Sequence, residues 1–159
     1  MLSTFPPNRK RFLTAHLNFP FQGRFDLFVP PIAKAAVLEN LRTLYQGFIV
    51  YNPGDLPVKL DLLQVASYLS QADAPFIELP PQVENAEGNI YAGPGSRAVN
   101  DILRGKRQSD FPQQLIIPPG KSALLMNHLI PVRGLEPRLN SRSTLMRLHS
   151  DGISRWGKL

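Results

Sequence analysis

Cysteine is missing from all 159 residues. Its absence removes disulfides, thiolate metal sites and cysteine nucleophiles together, and leaves the compartment open. Acid is scarce as well: 12 Asp and Glu stand against 18 Lys and Arg, a formal charge of +6. No apolar run approaches the roughly 18 residues that a bilayer span requires. The opening MLSTFPPNRKRFL carries its charges after a short Pro-broken segment. A signal peptide places them first and follows with an apolar run, so nothing as written directs export. Walker and dinucleotide fingerprints, a G-x-S-x-G elbow and a D-x-D-x-D-G calcium loop are all missing. The histidines His16, His128 and His149 lie far apart, without the i, i+4 spacing of a zinc helix. No catalytic residue, metal ligand or cofactor is expected from these residues.

Hydrophobic residues make up 43% and charged ones 19%, a globular balance rather than a disordered one. The length suits one domain with a real core. Pro 16 and Gly 11 favour short strands joined by tight turns over a helical bundle. Leu44 to Val65 organises the rest. Phe48, Ile49, Val50 and Tyr51 suit a pleated surface, and Asn52-Pro53-Gly54-Asp55 stops them. Pro53 presets φ, and Gly54 is free to take the positive φ of a type II turn. Val58, Leu60 and Leu62 then alternate with Lys59 and Asp61. This predicts a central hairpin. The adjacent Leu62 and Leu63 shift the phase, which predicts a bulge or a bend.

Taken in order, residues 1–10 read as a loose arm and Arg11 to Leu17 as a first strand. Asn18 to Gly23 reads as turn material. Phe25, Leu27 and Val29 alternate until Pro30-Pro31. Ile32 to Thr43 reads as a short helix or crossover. Ser70 to Gly88 reads as a long acidic connection pinned by Phe76, Ile77, Leu79 and Val83. Ile90-Tyr91 suggests a brief strand. A helix follows, with Ser96 as N-cap, an Ala98, Val99, Ile102, Leu103 stripe and Gly105 at C′. Leu115 to Met126 repeats the strand, Pro-Gly turn, strand chemistry, and Thr144 to His149 makes a last strand. The fold class predicted is mainly β: an antiparallel β-sandwich or open barrel with one short helix. Residues 11–150 form its single domain, and 151–159 read as a divergent tail.

Candidate chemistry centres on anions. Gly93-Pro94-Gly95-Ser96-Arg97 offers glycines, a helix N-terminus and a guanidinium fork. The plainer account is a helix entry that needs glycine and a cap. From Val132 onward Arg133, Arg138, Arg142, Arg147, Arg155 and Lys158 face only Glu136 and Asp151. Arg138, Arg142 and Arg147 therefore join Gly93, Gly95, Ser96 and Arg97 as candidate anion-binding residues. Between Asp55 and Glu87 six acids oppose Lys59 alone, which predicts two differently charged surfaces. Phe19, Phe21, Tyr45, Tyr51, Tyr68 and Tyr91 offer a stacking platform, against the plainer role of core packing.

Several blocks together carry a family resemblance: STFPP, AHLNFPFQGRFDLF, RTLYQGFIVYNPGDLPVKLDLLQVASYLSQADAPFIELP, AGPGSRAVNDILRG, LIIPPGKSALLMN and LNSRSTLMRLHSDG. From Ser3 to Gly152 the chain resembles the largely cyanobacterial domain of unknown function 3370 family. The resemblance implies an exported or envelope-associated β-rich protein, periplasmic or extracellular, and supplies no catalytic or ligand residues. Members look longer at the N-terminus and continue into another apolar strand after Ser150-Asp151-Gly152. The chain therefore reads as truncated at both ends. That ending leaves Thr144 to His149 as an edge strand open to self-association.

The functional expectation is a non-enzymatic, envelope-associated β-sandwich that binds anionic polysaccharide or an envelope protein. The alternative is a hydrolase acting on envelope glycans through loop carboxylates. A nonspecific nucleic-acid binder is weaker still, since only net charge argues for it.

Overall fold

The computed structural model describes residues 17–34, 44–132, 135 and 139–158. The first strand expected over Arg11 to Leu17, the arm before it and most of the Ile32 to Thr43 segment lie outside those residues. The described chain is mainly β: β1 (Leu17–Val29), β2 (Ile32–Lys34), β3 (Leu44–Tyr51), β4 (Val58–Leu69), α1 (Pro94–Leu103), β5 (Gln114–Ile117), β6 (Ser122–Ile130) and β7 (Leu139–Lys158). All strand pairs are antiparallel. The sheet curls nearly into a barrel, the open-barrel form of the expected class.

β7 organises the sheet. One edge pairs first with β2 and then with β1. The other pairs with β4 through Ser150 and with β3 from Arg155 onward. Thr144 to His149 therefore lies in the middle of the sheet, not at an edge, and the expected open edge is corrected. The strand also runs on through Lys158, so ISRWGK is strand after all. A register shift opposite Phe21 and Gly23 marks where β7 changes partner. Gly152 sits there because a Cβ would come within 2.7 Å of Val58 Cγ2. Lys59 N–H donates to Asp151 Oδ1 at 2.8 Å and holds the bend against β4.

The predicted central hairpin is corrected too. β3 pairs with β6 and β7, β4 pairs with β5 and β7, and no β3–β4 ladder exists among the described residues. The two Pro-Gly turns instead lie side by side. Asn52 N–H donates to Lys121 O at 2.9 Å, and Gly120 N–H to Asn52 O at 3.0 Å. The buried Asn52 amide donates to Leu56 O and Ile117 O and accepts from Gly54 N–H. This is an Asx turn. It replaces the expected type II turn, since only Gly120 of the two turn glycines has positive φ, at 63°.

Elsewhere patterns hold or shift in readable ways. The Leu62–Leu63 slip is a β4 bulge against β7. Asn18 to Gly23, expected as turn, belongs to β1. Pro30-Pro31 interrupts hydrogen bonding without changing register, and Arg142 N–H still donates to Pro31 O at 3.1 Å. Ile32 to Lys34 is strand rather than helix. Ile90-Tyr91 is not strand.

The main core gathers Leu27, Val29, Phe48, Val50, Leu60, Leu62, Val65, Ile117, Met146 and Leu148. Phe111 enters it from the segment after α1. That segment runs beside β4, with Gln108 N–H on Val65 O and the Gln108 amide on both backbone groups of Ser67. On the opposite face of the sheet, Ala98 and Ile102 of α1 seat on Ala66, Tyr68 and Leu145. Val99 and Leu103, expected in the same stripe, face solvent. The helix thus lies flat on the outside of β4 and β7, and that placement creates the cleft described next.

Candidate functional site

The cleft has a volume of about 460 Å3 and lies between β4, α1, the 85–91 loop and the segment after the helix. That size falls within the roughly 300–1,000 Å3 typical of small-molecule sites. Its walls carry Tyr68, Tyr91, Arg97, Asp101, Lys106 and Arg107, three cations against one carboxylate. The period-two bulge after Leu62 turns Tyr68 outward, while Ser67 beside it is buried. α1 spaces Arg97 and Asp101 four apart, so both rise from one side of the helix.

Arg97 is the most constrained of these side chains. Its guanidinium carbon lies 4.2 Å from the centre of the Tyr68 ring and 5.1 Å from that of Tyr91. Each ring's negative face attracts the cation. Nη1 donates to the Asp73 carbonyl. Among the described residues no acceptor meets the Nε–Nη2 edge and no carboxylate pairs with Arg97. The result is a half-buried planar fork, held by two rings and one carbonyl, with its other edge open. Tyr68 and Tyr91 thus act as clamps on Arg97 rather than as an open stacking platform.

Asp101 is spoken for differently. Tyr68 O–H donates to Oδ2 at 2.5 Å, and Lys106 Nζ approaches Oδ1 at 3.2 Å. Partial burial, with Asp101 second, holds the Tyr68 hydroxyl above its ordinary range. Arg107 gives Nη1 to Phe111 O at 2.8 Å.

The helix start differs from expectation. Gly93, not Ser96, is the N-cap, and Ser96 stands at N3 with its hydroxyl accepting from Gly93 and Ala92 N–H. Gly93 and Gly95 give close packing: a Cβ would lie 2.6 Å from the Phe76 ring at Gly93 and 3.4 Å from Phe28 at Gly95. Gly93, Gly95 and Ser96 therefore serve the helix entry, while Arg97 alone of that motif lines the cleft.

The remaining candidates do not converge on it. Arg147 is bound bidentately by Asp26 of β1, at 3.0 and 2.9 Å. Arg142 donates to Leu129 O and to Ser67 Oγ, the latter at 3.1 Å. Ser67 bonds Thr144, which donates to Gln46 Oε1. Since Thr144 gives its one hydroxyl proton to Gln46, Ser67 must donate to Thr144, and the inner chain runs one way from Arg142 to Gln46, whose amide N–H donates on to Val29 O. Arg138 lies outside the described residues. Tyr45 and Tyr51 are exposed on β3, Phe21 packs against the core, and the Phe19 side chain is outside the described set.

The acidic connection is held by polar contacts more than by the apolar residues expected to pin it. Ile77 is 50% and Val83 41% exposed, while Phe76 lies over Gly93. Asn85 bonds both backbone groups of Ile90, and Arg104 donates to Asn85 O and Ala86 O. Gly88 has φ +70°, and a Cβ there would strike Arg104 Nε at 2.0 Å. Loop carboxylates are used locally: Asp73 accepts from Leu69 N–H and Glu87 from Asn89. Lys106, Arg107 and Asp101 were not singled out from sequence. The only signal for them was helical spacing from Arg97 and the basic run after Gly105. Among the described residues no group of three or more His, Asp or Glu is placed to hold a metal ion, and no helix is long and apolar enough to cross a membrane.

No curated protein and no solved structure matches the chain. A family model does, over residues 1–158, and the chain belongs to the family described as Protein of unknown function (DUF3370).

Proposed function

We propose that this protein is a non-enzymatic binding module of the cell envelope and that its ligand is an anionic polysaccharide. The observation that carries the reading is the Arg97 guanidinium, which lines the cleft, is clamped by Tyr68 and Tyr91, and has no acceptor on its Nε–Nη2 edge among the described residues. A guanidinium fixed in this way loses little entropy on binding and matches a carboxylate or sulfate bidentately. Lys106 and Arg107 add positive charge to the same cleft. The envelope setting follows the family resemblance, which implies export. The charged, amide and phenolic lining of the cleft favours a polar sugar chain over a compact protein partner, whose interface core is typically more apolar.

Chemical-shift mapping of the 15N-labelled chain with a uronate oligomer tests this. Shifts should cluster at Tyr68, Tyr91, Arg97 and Lys106 to Gln108. Shifts confined to β1 and β7 around Arg147, or none at millimolar oligomer, would refute the cleft as the site.

A further inference from the structure

We infer that Asp101 decides which polyanion the cleft takes: it admits a sugar bearing a carboxylate beside free hydroxyls, a uronic acid, and rejects one whose hydroxyls are sulfated. This rests on the polysaccharide reading above and names the ligand class within it.

Among the described residues that line the cleft, Asp101 is the one carboxylate, beside the cations Arg97, Lys106 and Arg107. Its two oxygens accept from Tyr68 O–H and Lys106 Nζ. A carboxylate has about four lone-pair sites, so acceptor capacity is left for the ligand. Its side chain is only 13% exposed, which raises the weight of any contact it makes and the cost of any it cannot. A sugar hydroxyl can donate to it. A sulfate ester has no proton to give and would bring a second anion against it, a like-charge contact of the kind that enforces selectivity. Arg97, four residues back on the same side of α1, offers its open edge to the sugar carboxylate. One subsite therefore asks for a negative charge and the next for a donor. A uronic acid meets both requirements; a densely sulfated glycan meets only the first. The same logic disfavours duplex DNA, whose deoxyribose backbone has no free hydroxyl between its phosphates.

The test titrates wild type, Asp101→Asn and Arg97→Gln with polygalacturonate, dextran sulfate and neutral dextran. Wild type should bind polygalacturonate at least about tenfold more tightly than dextran sulfate, a gap of about 1.4 kcal/mol. D101N, matched in shape, should lose that preference by gaining affinity for dextran sulfate. R97Q should weaken both. Thermal melting checks that D101N is folded, and Asp101→Ser gives the same readout if it is not. Equal binding of both polyanions by wild type, with no change in D101N, overturns the role of Asp101 while leaving the cleft reading intact. Binding of neither polymer by wild type overturns the cleft reading and the inference with it.

Discussion

His128 reports how a single side chain is tuned by its place at the barrel wall. Its imidazole tilts against Phe111, with ring centres 5.1 Å apart, and Nε2 lies 3.8 Å from Asp110. Burial holds it below its ordinary value, Arg142 pushes the same way, and Asp110 opposes them. The folded chain therefore takes up this proton at lower pH than the unfolded chain. Above about 6.5 both are neutral and the stability is fully present; as pH falls below that, the unfolded state protonates first and stability drops. Melting temperature should fall between pH 7 and pH 5, and His128→Gln should flatten that slope. A slope identical in the variant would assign the effect to other groups. At this scale the sequence was only partly legible. Arg97 was recognisable as a fork, because GPGSR opens a helix. Its clamp was not, because Tyr68 comes from a distant strand and only a bulge turns it outward. Asn52 read as the start of a turn; that it also stitches two turns together depends on Ile117 and Lys121, which no local pattern announces.

At the scale of elements, strand positions were far more readable than strand partners. Alternation in Val58 to Leu62 tells which face is buried. It does not tell which neighbour completes the ladder, and so two successive strands read as a hairpin although they pair elsewhere. The ending was misread for a related reason. Ser150-Asp151-Gly152 looks like a stop, yet it is a bend that lets β7 pass from β4 to β3. Ending the chain after Gly152 should therefore do more than remove a tail. It deletes the β7 pairs with Phe21 and Pro20 of β1 and with Phe48 to Tyr51 of β3, so the β3–β6 half loses its backbone ladder to the central strand and keeps side-chain links such as Thr144 to Gln46 and Arg142 to Leu129 O. Urea unfolding of the shortened chain should lose cooperativity or shift to a midpoint near zero denaturant. An unchanged midpoint would mean that β7 past the bend contributes nothing to the fold. The helix was legible by contrast, because glycines and C′ position agree with Ala98 and Ile102 facing the sheet; its first turn was misplaced, and Val99 and Leu103 fall outside the buried stripe.

For the molecule as a whole, charge segregated along the sequence is interleaved in space. The acidic 55–87 stretch and the basic C-terminal stretch were expected to form separate surfaces. β4 lies beside β7, however, and Asp61 sits 3.9 Å from His149, with Lys59 at 3.4 Å. The hydrogen bond from Gln114 chiefly, against slight burial, keeps the Asp61 carboxyl below its ordinary range. Arg147 is likewise matched by Asp26. Part of the net charge of +6 is therefore matched locally; among the described residues, the cleft brings three cations together with one acid. The central claim is that binding is local to Arg97 and not a property of overall charge. Calorimetric titration of polygalacturonate into wild type and Arg97→Gln, at about 20 and 200 mM salt, tests it most directly, because diffuse attraction is screened within roughly 10 Å at 0.1 M while a bidentate contact is not. Wild type should retain binding at the higher salt and R97Q should lose at least about tenfold at both, close to 1.4 kcal/mol. Affinity that vanishes with salt and is equal in the two proteins would contradict the account.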